Sequence, residues 1–139
     1  MHIRPYRAAD EVAVVELWES SGLTRPWNDP HKDIGRKLAV RPEWFLVGED
    51  NGVIVATAMV GYDGHRGWVY YLGVAPGHRR LGYGRAMMAE AERLLRAEGC
   101  PKLNLQVRTG NAEAVAFYEN LGFGLDAVIG MGKRLEHDS

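Results

Sequence analysis

Val74-Ala75-Pro76-Gly77-His78-Arg79-Arg80-Leu81-Gly82-Tyr83-Gly84-Arg85 carries the chain from the end of an apolar, aromatic stretch into the start of a long helical one. Strand, tight turn, helix is what this order of residues encodes. The first turn of a helix leaves backbone N–H groups unpaired and holds the positive end of the peptide dipoles. Glycine at 82 and 84 removes side chains that would keep an anion from those groups. No Asp or Glu occurs from Gly64 through Ala89, whereas Arg66, Arg79, Arg80 and Arg85 all fall in that window. Glycines at such a place can also serve only close helix–sheet packing beside solvated arginines. The acid-free window favours the anion, and phosphate is the anion such a loop suits. A Walker loop would need Gly-Lys-Ser/Thr after a strand, which is missing. A dinucleotide fingerprint would want Gly or Ala where Met87 stands.

Working outward, Ile3 to Arg7 reads as a short first strand with Pro5 at an edge or bulge. Asp10 to Ser21 carries Val12, Val15 and Leu17-Trp18 at helical spacing, and Gly22 stops it. Arg25-Pro26-Trp27-Asn28-Asp29-Pro30 is a loop, followed by a second helix from about Pro30 to Val40. Trp44–Glu49 and Val53–Tyr62 flank Asp50-Asn51-Gly52, a type I′ hairpin signal. Trp68–Val74 is the next strand and Gly82–Glu98 the long helix. Leu103–Val107 follows as a strand, Asn111–Leu121 as a helix, and Phe123–Met131 as a last strand. The order β-α-α-β-β-β-α-β-α-β predicts an α/β fold with a mixed central sheet flanked by helices.

The chain has 139 residues, enough for one domain spanning 1–139, and neither a linker nor a repeat divides it. Its 46% apolar and 25% charged residues exclude global disorder. A net charge of −1 gives no reason to expect nucleic acid as partner. One cysteine, Cys100, excludes an internal disulfide and suits a cytoplasmic location. Neither a signal peptide nor a membrane span is legible.

Two stretches resemble the signatures of the GCN5-related N-acetyltransferase superfamily, which transfers acetyl groups from acetyl-CoA to amines. Arg79-Arg80-Leu81-Gly82-Tyr83-Gly84 is similar to its Arg/Gln-x-x-Gly-x-Gly/Ala pyrophosphate loop. Asn111-Ala112-Glu113-Ala114-Val115-Ala116-Phe117-Tyr118-Glu119-Asn120-Leu121-Gly122-Phe123 is similar to its second signature. Arg25–Pro30 and Gly61–Gly67 further resemble small bacterial members called YpeA. The resemblance implies a sheet splayed between the fourth and fifth strands, with acetyl-CoA in the opening. Pantetheine would bond the backbone of Leu72 and Val74, and the pyrophosphate the N–H groups from Arg80 to Arg85. A bulge near Gly73 would aim a backbone N–H at the thioester oxygen. Asn111 is a good N-cap in its own right, and in the family its counterpart often also bonds the cofactor. Tyr118 sits on the buried face by spacing. Through the resemblance it matches the tyrosine that protonates the departing thiolate.

The acceptor side is less defined. Many relatives place a glutamate near the start of the fourth strand as a base, and Trp68-Val69-Tyr70-Tyr71-Leu72 has no carboxylate. Tyr70 with an ordered water, Asp63, His65 and Glu49 are the alternatives, none of them singled out. Trp27, Asn28 and Asp29 would border the acceptor pocket, with Trp27 either recognising substrate or anchoring its loop. The five histidines lack metal-ligand spacing, so no metal is expected. The expectation is direct acetyl transfer to a primary amine: a small molecule, a peptide N-terminus or a lysine. A non-catalytic acyl-CoA-binding module is the alternative. Oligomeric state is left open, a homodimer included.

Overall fold

The computed structural model describes residues 1–138. Five strands form one sheet in the order β1-β2-β3-β4-β5: β1 His2–Pro5, β2 Phe45–Asp50, β3 Val53–Tyr62, β4 Gly67–Val74 and β5 Leu103–Asn104. The first four are antiparallel neighbours, and β5 joins β4 in parallel. Helices α1 (Glu11–Ser20), α2 (Pro30–Leu38), α3 (Tyr83–Ala97) and α4 (Ala112–Asn120) connect them. At the β2–β3 turn Asn51 and Gly52 both have positive φ, 49° and 78°, as a type I′ turn demands.

Side-chain alternation along the strands divides the core in two. On one face Leu46, Ala56, Ala58, Val60 and Val69 meet Met87, Met88, Ala91 and Leu95 of α3, with α4 beyond. On the other, Phe45, Val47 and Met59 meet Val14, Val15, Leu17 and Trp18 of α1 and Ile34 of α2. Trp18, Phe45 and Met87 are fully buried, each contributing roughly 1.5–3 kcal/mol or more of transfer free energy. These two layers hold β4 between them, so its edge is positioned by both.

That edge is where the sheet opens. β4 and β5 pair only at Gly67 with Leu103 and Trp68 with Asn104. From Val69 to Val74, β4 continues against β3 alone, and β5 departs from it. The splay expected between the fourth and fifth strands is therefore present.

Two expectations are corrected. The fifth strand covers Leu103–Asn104, not Leu103–Val107, and no strand forms over 123–131 among the described residues. With β5 only two residues long, that segment has no ladder to join. Gly124 and Gly130 weaken strand formation within it. Beyond it, Arg134 donates to Asn28 Oδ1 at 2.9 Å, and Asp138 pairs with Arg36, drawing the chain toward α2 instead of the sheet. Leu125, Val128, Ile129 and Met131 are left exposed.

Candidate active site

Two segments meet at the opening, and a third, α4, packs against the start of α3 through Phe117. The first is β4 itself, which carries a bulge: Met59 pairs with Tyr70 and Thr57 with Gly73, so Tyr71 and Leu72 together face Ala58. The bulge lies just before the Gly73 position expected for it. Tyr71 there has φ +53°, a left-handed backbone that costs a non-glycine residue about 1–2 kcal/mol. Three contacts hold it. Its carbonyl accepts from Thr57 Oγ1 at 2.8 Å, and that oxygen in turn accepts from Trp18 Nε1 at 3.0 Å. Its ring stacks on Trp18 with centroids 3.9 Å apart. Its hydroxyl donates to Asp33 Oδ2 at 2.6 Å, and burial together with that carboxylate raises the phenol well above its ordinary range.

The second segment is the loop from Val74 into α3. Gly82 caps the helix with φ +80° and no side-chain partner, and Arg80 is also left-handed at φ +66°. Among the described residues the amides from Arg79 to Arg85 find no backbone or side-chain acceptor, the first helical bond being Ala86 N–H to Gly82 C=O. No acidic residue occupies the first turn, and among the described residues Arg79, Arg80 and Arg85 form no ion pair. The two glycines differ in purpose. A Cβ on Gly82 would meet open space, so its role is conformational. A Cβ on Gly84 would lie 3.1 Å from the Phe117 ring, so Gly84 admits α4 to close packing. Tyr83 donates to the Asp50 carboxylate, which also pairs with the Met1 amino group at 3.0 Å, fixing the helix start against β2.

The third segment is α4. Asn111 is its N-cap, Oδ1 accepting from Ala114 N–H at 3.1 Å, which accounts for the residue structurally. Phe117 abuts Gly84, and Tyr118 stands edge-on to both Phe117 and Phe123. Burial pushes the Tyr118 phenol up to about 12, and its hydroxyl has no hydrogen-bond partner among the described residues. A separate cleft of about 780 Å³ lies between the 103–110 run, α4 and the 123–130 segment, where the expected last strand would have packed. Tyr118 lines it; the β4 residues beyond the bulge and the Arg79–Arg85 loop do not.

Across the opening stands the loop between α1 and α2. Trp27 is half exposed beneath the Arg108 guanidinium, 5.3 Å from the ring centre, so this loop meets the chain beyond β5. Asp29 caps α2 by accepting from His31 N–H at 2.9 Å and Lys32 N–H at 3.4 Å. Asn28 is engaged by Arg134. Of the four expected acceptor-side residues, Trp27 and Tyr70 remain open to solvent, while Asn28 and Asp29 have structural partners.

Two of the candidate bases are committed elsewhere. Asp63 Oδ1 accepts from His65 and Arg66 N–H at 2.8 and 2.7 Å, which lowers its pKa and makes it a turn residue. Glu49 pairs with Arg4 at 3.1 Å. A carboxylate that reaches the β4 bulge is Asp33, which the sequence reading missed. It lies on α2 with no motif around it, and its pairing with Tyr71 joins residues distant in the chain. The only available signal was its place one helical turn after the Asp29 cap.

A strand edge freed by a splay thus runs straight into a helix start whose amides lack acceptors among the described residues. A sequence profile of the acetyltransferase (GNAT) family matches residues 12–123, and the chain belongs to that family. It is 50% identical to an acetyltransferase of Yersinia pestis over 135 residues, 97% of this chain and 96% of that one. Among solved structures it is similar to Ard1 from Thermoplasma volcanium, with a TM-score of 0.78, 28% identity and coverage of 91% and 84%. It is likewise similar to the ribosomal-protein-S18-alanine N-acetyltransferase from Escherichia coli, with a TM-score of 0.74, 26% identity and coverage of 88% and 77%. The chain is thus an N-acetyltransferase, of a family that uses acetyl-CoA and amine acceptors. No helix among the described residues is long and apolar enough to cross a membrane.

Proposed function

We propose that the chain moves an acetyl group from acetyl-CoA directly to a primary amine in the opening beside β4. The observation that carries this reading is the junction at Val74. Among the described residues, β4 has no neighbouring strand on one edge from Val69 onward, where only Ser21 Oγ and Arg79 Nε approach the Val74 carbonyl, and it runs into a loop whose amides from Arg79 to Arg85 have no acceptor.

The residues fit the carrier. The backbone of Leu72 and Val74 would pair with pantetheine as an added strand. The amides from Arg80 to Arg85, opened by the left-handed turns at Arg80 and Gly82, would take the diphosphate, with Arg79, Arg80 and Arg85 adding charge. Leu81, Tyr83 and Gly84 contribute through the backbone, and the free amide nitrogen of Asn111 is a further donor. Bound acetyl-CoA supplies an acyl group activated as a thioester.

The chain's own groups supply orientation and proton management. The bulge at Tyr71–Leu72 releases backbone from the β3 ladder, giving a donor for the oxygen on which negative charge develops. Tyr118 acts as general acid toward the leaving sulfur. A phenol raised to about 12 is a weaker acid than a thiol, ordinarily near 8.5. It can therefore give its proton to sulfur only if it regains one from the nitrogen, which loses a proton as the amide forms. The net proton passes from amine to thiolate, and Tyr118 ends unchanged. Trp27, Asn28, Asp29 and Tyr70 border the acceptor end.

The test is calorimetric titration with CoA, followed by thiol release with an N-terminal alanine peptide, a lysine peptide, a polyamine and an aminoglycoside. Binding heat and turnover with at least one amine are expected. Tyr118→Phe should lower kcat about 100-fold, as loss of a general acid does, with acetyl-CoA affinity unchanged. No heat and no thermal protection by CoA would overturn the reading, and unchanged turnover would remove Tyr118 from the reaction.

A further inference from the structure

The segment 134–138 crosses back over α2 and ends in a buried acid. The Asp138 side chain is only 2% exposed, and two groups hold its carboxylate. Arg36 grips it with a two-pronged fork, Nη2 to Oδ1 at 2.6 Å and Nη1 to Oδ2 at 3.1 Å. Asp29 N–H, at the cap of α2, donates to Oδ2 at 2.8 Å. The Lys32 ammonium donates to its backbone carbonyl at 3.3 Å. Arg36 Nη1 is shared: it also donates to Asp33 Oδ1 at 2.9 Å, and Asp33 Oδ2 takes the Tyr71 hydroxyl. One guanidinium therefore stands between two carboxylates, and the second carboxylate ends on the left-handed residue of the β4 bulge.

From this chain of contacts we infer that Asp138 and Arg36 are positioning residues for acetyl transfer, acting through Asp33 on the bulge at Tyr71. The inference rests on reading the β4 edge as the thioester site. An isolated surface ion pair is worth little. This one differs because its acid is buried, its fork is bidentate, and its far end fixes a backbone conformation that is unfavourable on its own. Tyr71 keeps two other anchors, its ring on Trp18 and its carbonyl on Thr57. Loosening Asp33 thus frees the bulge without unfolding the sheet. The consequence is a change in how the acyl group is presented, not in whether the carrier binds.

The test compares Asp138→Ala, Arg36→Lys and Tyr71→Phe in the full chain by hydrogen exchange, CoA calorimetry and kinetics with a panel amine that gives turnover. In Asp138→Ala, amide exchange at 71–73 should speed up about tenfold, the loss expected for one charged hydrogen bond. Exchange in α3 should not move. CoA affinity should stay within about twofold, and kcat/KM for the amine should fall about tenfold. Arg36→Lys keeps the charge but lacks the planar fork that grips Asp138 at two oxygens while reaching Asp33, so it should behave like Asp138→Ala. In a Tyr71→Phe background the Asp138→Ala effect should shrink to a few-fold or less, because the relay is already cut. Faster exchange throughout α3, recovery by Arg36→Lys, or an undiminished effect in the Tyr71→Phe background would each overturn the inference. Absence of CoA binding in the unmodified chain would instead overturn the proposed function. The exchange measurement would still report on the relay.

Discussion

Replacing Thr57 by Val should be among the most damaging isosteric changes the chain can suffer. Thr57 is fully buried and near-identical in volume to Val, so no cavity forms. What disappears is one hydroxyl serving two partners, Trp18 Nε1–H at 3.0 Å and the Tyr71 carbonyl at 2.8 Å. Trp18 is itself fully buried, so its N–H has no water to turn to. Leaving a buried donor or acceptor unpaired costs about 1–3 kcal/mol each, roughly 2–6 kcal/mol for both. The added methyl returns up to about 0.8 kcal/mol. A net loss of about 1–5 kcal/mol follows, which in a chain of this size lowers Tm by about 4–20 °C. Thr57→Ser keeps the hydroxyl and gives up a methyl, so it should cost only about 1 kcal/mol. Urea titration followed by tryptophan fluorescence, with calorimetric melting, measures all three proteins. If Val proved as stable as Thr, or Ser the more harmful of the two, the hydroxyl would not be what holds the bulge.

Burial raises the Tyr118 pKa from about 10 in an unfolded chain to about 12. The folded state therefore binds that proton more tightly, and the contribution is fully present below pH 10 and lost as pH rises toward 12. Comparing Tyr118→Phe with the parent across this range should isolate about 2–3 kcal/mol, with no difference in slope near neutrality. Gly82→Ala meets no steric obstacle but must adopt φ +80°; about 1–2 kcal/mol of stability and most CoA affinity should go. Calorimetry on Gly82→Ala with retained affinity would show that the left-handed turn is not needed. CoA affinity should weaken with added salt. Arg80→Ala or Arg85→Ala should each cost about two- to fivefold at low salt and flatten that dependence, while a salt-insensitive Kd would remove the arginines from the site.

Much of this architecture was legible because it rests on local rules. Asn51-Gly52 encodes its turn by needing two positive φ values, and Asn111 encodes a cap by being a short acceptor before a helix. The glycine-arginine run at 77–85 could be read as an anion loop because both charge and side-chain absence are written in sequence. The bulge was expected through the family and landed close by, but its keystone was not Gly73. A left-handed tyrosine contradicts local propensity, and only long-range contacts to Trp18, Thr57 and Asp33 make it tolerable. The same holds for Asp138, whose burial depends on Arg36 far earlier in the chain. The last strand failed for the opposite reason. Leu125, Val128 and Ile129 have strand-like composition, yet a strand needs a neighbour, and β5 ends before it could supply one.

The contact between Gly84 and Phe117 has a mechanical meaning. With no side chain at 84 to act as a buffer, the aromatic ring rests directly on the opening turn of α3. On the proposed reading, any settling of that turn around a guest would be passed to the ring like a push on a lever. The adjoining phenol at 118 rides on the same rod. On that reading, filling the cradle and aiming the phenol would be one movement, not two independent events.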